Sequence, residues 1–408
     1  MVTLAWRNLW RQRRRSMITS GAVGAVVFLS LLYYGMGGAS INNMYQSLTE
    51  ATGHIQVHVP DYRDVREFRA LLIKDAASVE ETLQSGAGPG EVMGVLAVPG
   101  LLSGEDRSRG IIAVGQDLPT SLRNRFLEKN LIGGRLLEEG DLEGILLGAA
   151  LARALEVELG DDVYIYAPGT EGFGAAAYQV VGLLDLLDPN FESRSAYLSL
   201  AAAQELAAPG AVTHFEIHFP ELRLLKEDST ALTRRDTLQA ALPNYSVESW
   251  RDLNPSLVQL LDAFGPMMNV VNIIFFILAG LLVVNTVYLS LMERIHEFGV
   301  IISLGAAGRN IVRMITLESV LLCTTGAAIG TVLGLLLLAY WSQNGLSIPG
   351  LEEYYASFGL KPIFYPSVKP HQVLFSVGFA IATGILAALW PANVASRLEP
   401  VEAMRFTA

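Results

Sequence analysis

The chain has 408 residues, of which 51% are hydrophobic and only 17% charged, and its mean hydropathy is +0.37. Soluble domains carry about 25% charged residues, so this composition points to the membrane class and excludes disordered and collagen-like chains. The single cysteine, Cys323, excludes an internal disulfide. The net charge of −11 is unevenly spread: residues 41–265 hold 33 acidic and 17 basic side chains, a balance of −16, and the remainder balances at +5. An acidic bulk with basic remnants argues against a nucleic-acid partner.

Residues 1–16 contain Arg7, Arg11, Arg13, Arg14 and Arg15 and no acid, which marks a cytoplasmic end. A spanning helix needs about 20 mostly apolar residues. Four stretches qualify: 17–38, 266–292, 315–341 and 371–392, the last expected to end at Pro391. A cleaved signal peptide is the alternative for the first. Its apolar run is long for that role, and no small-x-small site follows Tyr34, so a retained span is expected. Arginine placement then puts 39–265 and 342–370 outside, and the 293–314 loop (Arg294, Arg309, Arg313) and the 393–408 tail (Arg397, Arg405) inside. The expected product is a multi-pass membrane protein with both termini cytoplasmic.

The block between the first two spans reads as mixed α and β. Gly53–Pro60 alternates as a strand, Asp64–Leu83 has helical spacing, and Met93–Val98 is strand-like. The order recurs as Thr213–Phe219, Leu222–Leu242 and Tyr245–Trp250. Two such units predict a split βαβ sandwich, each helix covering one face of a shared sheet. Residues 100–212 form an insert richer in strands, at Arg109–Gly115, Gly144–Leu147, Asp162–Ala167, Ala177–Leu187 and Ala196–Leu200. Helices are expected there at Gly148–Leu155 and Leu200–Ala208. Leu253, Leu257, Leu260, Leu261 and Phe264 share a helical face and predict a stalk running into the second span.

No catalytic signature is present. None of the five lysines follows a glycine, so no P-loop exists in these residues, and neither HExxH nor GxSxG occurs. His54 and His58 are spaced i, i+4, as are His214 and His218. On strands this spacing leaves each pair about 13 Å apart, so no metal is expected unless the two strands pair side by side. Gly326, Gly330 and Gly334 recur every four residues and predict close helix packing, within one subunit rather than at a dimer seam. Glu318, at the edge of the third span, is expected to reach water or Arg313. The segment Glu293–Gly305 is a short charged helix start with an apolar second half. Such a helix could lie along the membrane surface or dock into a partner groove.

Glu293, Arg294, Glu297, Phe298, Gly299, Leu304, Gly305 and Ala306 form a pattern that resembles the inner loop of FtsX-like ABC-transporter permeases. The tail from Pro391 to Arg405 resembles that family's ending, and Leu4–Arg15 its amphipathic N-terminal helix. Gly134–Arg135, Leu147–Ala152 and Leu159–Asp161 resemble the MacB-type outer domain. Four spans and one outer domain are most similar to the lipoprotein-releasing LolC/LolE permeases and to MacB, without MacB's fused ATPase. The resemblance implies an α-helical membrane protein with a mixed α/β extracytoplasmic domain, paired with a second copy or a paralogue. It implies ATP–Mg bound on a separate ABC ATPase subunit and no cofactor or catalytic residue on this chain. The work implied is mechanotransmission: lipoprotein or lipid cargo in the outer leaflet is extracted and handed to a periplasmic acceptor. Glu293, Arg294, Glu297, Phe298, Gly299 and Gly305 would couple to the ATPase. An unfused exporter of small molecules or peptides, and an FtsX-like regulator of a cell-wall hydrolase, are the alternatives.

The orientation is testable in a Cys323→Ser background. A cysteine at Ser303 should stay unlabelled by an impermeant maleimide applied from outside, and labelling there would reverse the topology.

Overall fold

The computed structural model describes residues 13–116, 121–138, 140–170, 172–186, 192–304, 307–347, 350 and 363–396. They divide into two compact units, with breaks at Ser40/Ile41 and Gln259/Leu260. Helix α1, Arg13–Thr52, contributes to both.

The interposed unit continues with β1 (Ile55–His58), α2 (Ala76–Gly86), β2 (Glu91–Ser103) and β3 (Ser108–Gln116). Then come α3 (Ser121–Asn130), β4 (Leu131–Gly134), β5 (Gly144–Gly148), α4 (Ala149–Leu155), β6 (Asp162–Gly169) and β7 (Gly172–Leu184). It ends with β8 (Ser195–Ser199), α5 (Leu200–Leu206), β9 (His214–His218), α6 (Asp228–Ala241), β10 (Ser246–Ser249) and α7 (Trp250–Leu253). Among the described residues ten strands form one sheet, ordered β10-β1-β9-β2-β3-β8-β5-β7-β4, with β6 joined to β2 and β7.

The β10-β1-β9-β2 end is wholly antiparallel and is the split βαβ sandwich. Its two helices lie side by side on one face, where Val79, Leu83, Ala231 and Leu238 close over Ile55, Val57, Phe215, Ile217 and Val247. Both helices are shorter than their spacing predicts. The 64–83 stretch is a 3-10 turn at Phe68–Leu71 followed by α2, because Ile73 pairs in a β-bridge with Val212. The 222–242 stretch likewise becomes α6 behind a short turn at Leu225–Glu227.

The insert is not a separate sheet. β2 carries β9 along Glu91–Val95 and β6 along Leu101–Ser103 on one edge, and β3 along Val95–Ser103 on the other. From there the ladders run β3 to β8, β8 to β5, β5 to β7, β7 to β6 and back to β2, closing a six-stranded barrel. Closure removes the exposed strand edges that an open insert would present. The barrel is filled by Leu96, Val98, Ile111, Ile145, Leu147, Val163, Ile165, Val180 and Leu198. Strand β4 and helix α3 have no counterpart in the sequence reading.

The other unit holds α8 (Pro255–Glu293) from Leu260 onward, α9 (Ile295–Ser303), α10 (Gly308–Asn344), the small pair β11 (Leu346–Ser347) and β12 (Ile363–Phe364), and α11 (Pro370–Ser396). Helices α1, α8, α10 and α11 are each long and apolar enough to cross a membrane. At 1.5 Å per residue, α1, α8 and α10 measure roughly 55–60 Å, about twice the hydrocarbon thickness. Two expectations are corrected. Pro391 does not end the fourth span: it is buried within α11, among Ala387, Ala388, Ala392 and Ala395, whose packing outweighs one missing N–H donor. Leu253 is not part of the stalk, because α7 stops there and α8 restarts at Pro255.

Lipid gives apolar helices no hydrophobic reason to associate, so contact must come from close approach and internal hydrogen bonds. Both are present. A Cβ added at Gly330 would lie 2.1 Å from the Gly24 carbonyl oxygen, and one at Gly326 would lie 2.4 Å from that of Ser20. Gly334 faces Leu31, so the glycine stripe of α10 packs on α1 of the same chain. Buried polar pairs then fix the register. Ser30 donates to Asn272 and lies 2.9 Å from Ser376, joining α1, α8 and α11. The Tyr34 hydroxyl donates to Asn269 at 2.8 Å, and Ser319 donates to the Gly384 carbonyl at 2.9 Å.

Gly330→Ala should destabilise the detergent-solubilised protein by about 1–3 kcal/mol, because backbone cannot retreat from the new methyl. Gly378→Ala, with nothing within 4 Å, should be neutral or slightly stabilising. Thermal melts of both variants check the contrast.

Candidate functional site

The charged corner where α8 meets α9 gathers most of the sequence-selected residues. α8 ends at Glu293, and Arg294 breaks the helix with φ −116° and ψ 14° before α9 starts. The Arg294 guanidinium is spent in three directions. Its Nε donates to Glu297 at 3.1 Å, its Nη1 donates to Glu318 on α10 at 3.3 Å, and its plane lies 5.2 Å from the Phe298 ring centre. Arg15 of α1 donates to Glu293 at 3.2 Å and to the Thr286 carbonyl at 2.6 Å. A cavity of about 30 Å³ lies among Arg15, Arg294, Glu318 and Ser319, room for one or two waters.

Glu318 pairs with Arg294 and not with Arg313. Five residues apart on one helix, Arg313 and Glu318 point to different sides.

Helix α9 has two unlike faces. Phe298, 1% exposed, is packed into the bundle core with Ile311 and Ile315, and Gly299 is buried, so neither lies on an open surface. The outward face is His296, Val300 and Leu304, spaced i, i+4, i+8, with Leu304 82% exposed. Sequence reasoning left Val300 unnamed and gave Leu304 a place in the family pattern but not on the outward face, because apolar residues occur on both sides of this helix and nothing local says which side the bundle covers. Gly305 lies outside the described residues.

The histidines lie on the sheet face opposite α2 and α6. Strands β1 and β9 pair antiparallel with His58 opposite His214. One histidine from each strand therefore meets its counterpart: the two rings stack with centres 5.0 Å apart, and Tyr62 stacks on His58 at 3.9 Å. Glu216 lies between His214 (3.5 Å) and His218 (3.2 Å). Stacking sets ring faces together rather than nitrogen lone pairs. Among the described residues no three His, Cys, Asp or Glu side chains are grouped to hold a metal ion. His54 is held as the neutral Nε2–H tautomer. Its Nε2 donates to the Leu222 carbonyl at 3.0 Å, and its Nδ1 accepts from the Phe219 amide at 3.1 Å. Burial pushes His54 down to about 4 and His58 down to about 3, the neighbouring His214 adding to the second.

Residues 269–400 match the family described as FtsX-like permease C-terminal. The chain is 26% identical over 185 residues to the macrolide export ATP-binding/permease protein MacB of Syntrophobacter fumaroxidans, covering 45% of this chain and 23% of that protein. It is 21% identical over 426 residues to MacB of Hyphomonas neptunium, covering 99% of this chain and 60% of that protein. The chain thus spans less than two thirds of the length of these curated relatives. The crystal structure of the periplasmic region of MacB from Actinobacillus actinomycetemcomitans overlaps 51% of this chain and 95% of that one, with 13% identity and a TM-score of 0.36.

Both depressed histidines bind a proton more readily unfolded than folded. Their contribution is nil above about pH 6.5 and turns destabilising as pH falls toward 4. Denaturant unfolding of the full chain should lose about 1 kcal/mol per pH unit per histidine over that window. His58→Gln should flatten the slope.

Proposed function

We propose that this chain, an ABC-transporter permease of the FtsX/MacB type, is the membrane part of a machine whose ATP is hydrolysed on a separate ATPase subunit. The observation that carries this reading is α9. It sits between two membrane-length helices, is anchored on one side by Arg294 and Phe298, and leaves His296, Val300 and Leu304 uncovered on the other. A short helix held rigidly behind and bare in front suits a partner's groove. In this reading α9 and both termini are cytoplasmic, the interposed unit is extracytoplasmic, and two permease copies or paralogues work together. Cargo is handed on mechanically, without chemistry on this chain.

The cargo proposed is lipoprotein or lipid from the outer leaflet. The MacB relatives are named for macrolide export, which supports a second reading, export of small molecules or peptides. Reconstitution with the purified ATPase separates them. ATP-dependent release of a fluorescent diacylated lipopeptide from the bilayer supports the first, and ATP-dependent macrolide transport without lipopeptide release supports the second.

Leu304→Asp should weaken ATPase binding roughly tenfold or more, as removal of an apolar anchor does, while the permease folds normally because that side chain is exposed. Unchanged binding in a Val300→Asp/Leu304→Asp protein would remove α9 as the docking element.

A further inference from the structure

The corner around Arg294 does more than hold α9 in place. Arg294 is the one residue between α8 and α9, and its guanidinium is shared between Glu297 on α9 and Glu318 on α10. The Glu318 arm is the sheltered one: the side chains of Arg294 and Glu318 are 10% and 15% exposed, whereas Glu297 is 43% exposed. Water screens a sheltered ion pair far less than an exposed one, so the two side chains are held to move together. Glu318 stands one residue before Ser319, which donates to the Gly384 carbonyl of α11. On the other side Arg15 ties Glu293, the residue before Arg294, to α1. A displacement of α9 therefore reaches α10 through a defined side-chain contact as well as through the connecting residues 304–307.

We infer that the Arg294–Glu318 ion pair is the latch through which movement of α9 is passed to α10, with Glu318 a positioning residue for transmission rather than for ATPase docking. This rests on α9 being the docking helix. The pair is suited to the task. Arg294 grips the Glu318 and Glu297 carboxylates with different nitrogens of one rigid planar group, so the two contacts cannot turn independently. The neighbouring 30 Å³ cavity leaves space for the pair to shift without a clash with packed apolar side chains.

The test uses the full chain in nanodiscs with the purified ATPase. A reporter cysteine replaces Ser342, exposed near the far end of α10, in the Cys323→Ser background. In the otherwise unaltered protein, ATP with vanadate should change the labelling rate of this cysteine. With Glu318→Gln, ATPase binding and basal hydrolysis should stay within about twofold, while the nucleotide-dependent change in labelling falls about fivefold or more, the loss of one allosteric coupling. Glu318→Asp should restore part of it. If Glu318→Gln does not fold, Glu318→Asp, which keeps the charge on a shorter side chain, is read in the same way by a partial loss of the nucleotide-dependent change. Full transmission in these variants overturns the latch, as does loss of ATPase binding, which would make Glu318 part of the docking surface. Failure of the reference protein to bind the ATPase at all, by contrast, would remove the docking reading beneath it.

Discussion

Helix association in lipid has no hydrophobic term to draw on, and the crossing of α1 over α10 is where this chain meets that constraint. At Gly24, Gly326 and Gly330 the two backbones approach until a single methyl would collide with a carbonyl oxygen. Close approach maximises dispersion contacts between surfaces that lipid tails would otherwise wet equally well. Two further helices are then set by hydrogen bonds rather than by shape. Asn272 and Ser376 meet at Ser30, and Asn269 meets Tyr34, so α8 and α11 each have one favoured register against α1. A slip of either helix would leave buried polar groups unpaired at a depth where water cannot replace the partner.

The charged end of the bundle follows from the same geometry. Once α1, α8 and α10 are registered, Arg15, Glu293, Arg294 and Glu318 come within ion-pair distance. The bundle thus turns a fixed helix register into a fixed orientation for α9. Burying Phe298 and Gly299 toward the core leaves Val300 and Leu304 as the outward face, so what α9 exposes is a by-product of what the core consumes.

In the interposed unit one strand has a comparable role. β2 is long enough to serve the split βαβ sandwich at its start and the barrel at its end. The polar face of the sandwich, with Gln56, His58, Glu216 and His218 buried together, is uncommon for a sheet interior and is held by local pairings: Gln56 to the Thr52 carbonyl, His58 to Gln56, His218 to Glu216. On this face burial keeps the His58 ring neutral.

The membrane spans, the acidic domain between the first two and most of its strands were legible in the sequence, because apolar run length and alternation are local properties. The 3.6-residue and two-residue periods state what an element is, and they placed β3, β5, β6 and β8 close to their observed limits. The glycine spacing of α10 likewise announced a close crossing. What the sequence could not supply is which surfaces meet. Closure of the insert into a barrel depends on β6 returning to β2, some sixty residues distant in sequence. The partner of Glu318 proved to be an arginine 24 residues away rather than the nearby Arg313. The helix that continues through Pro391 is held by neighbours its own residues do not announce. Composition and periodicity determined the class of each element and its place in or out of lipid. Pairing, register and the exposed face of α9 were decided by tertiary structure, because they depend on contacts between segments far apart in the chain, to which local pattern carries no reference.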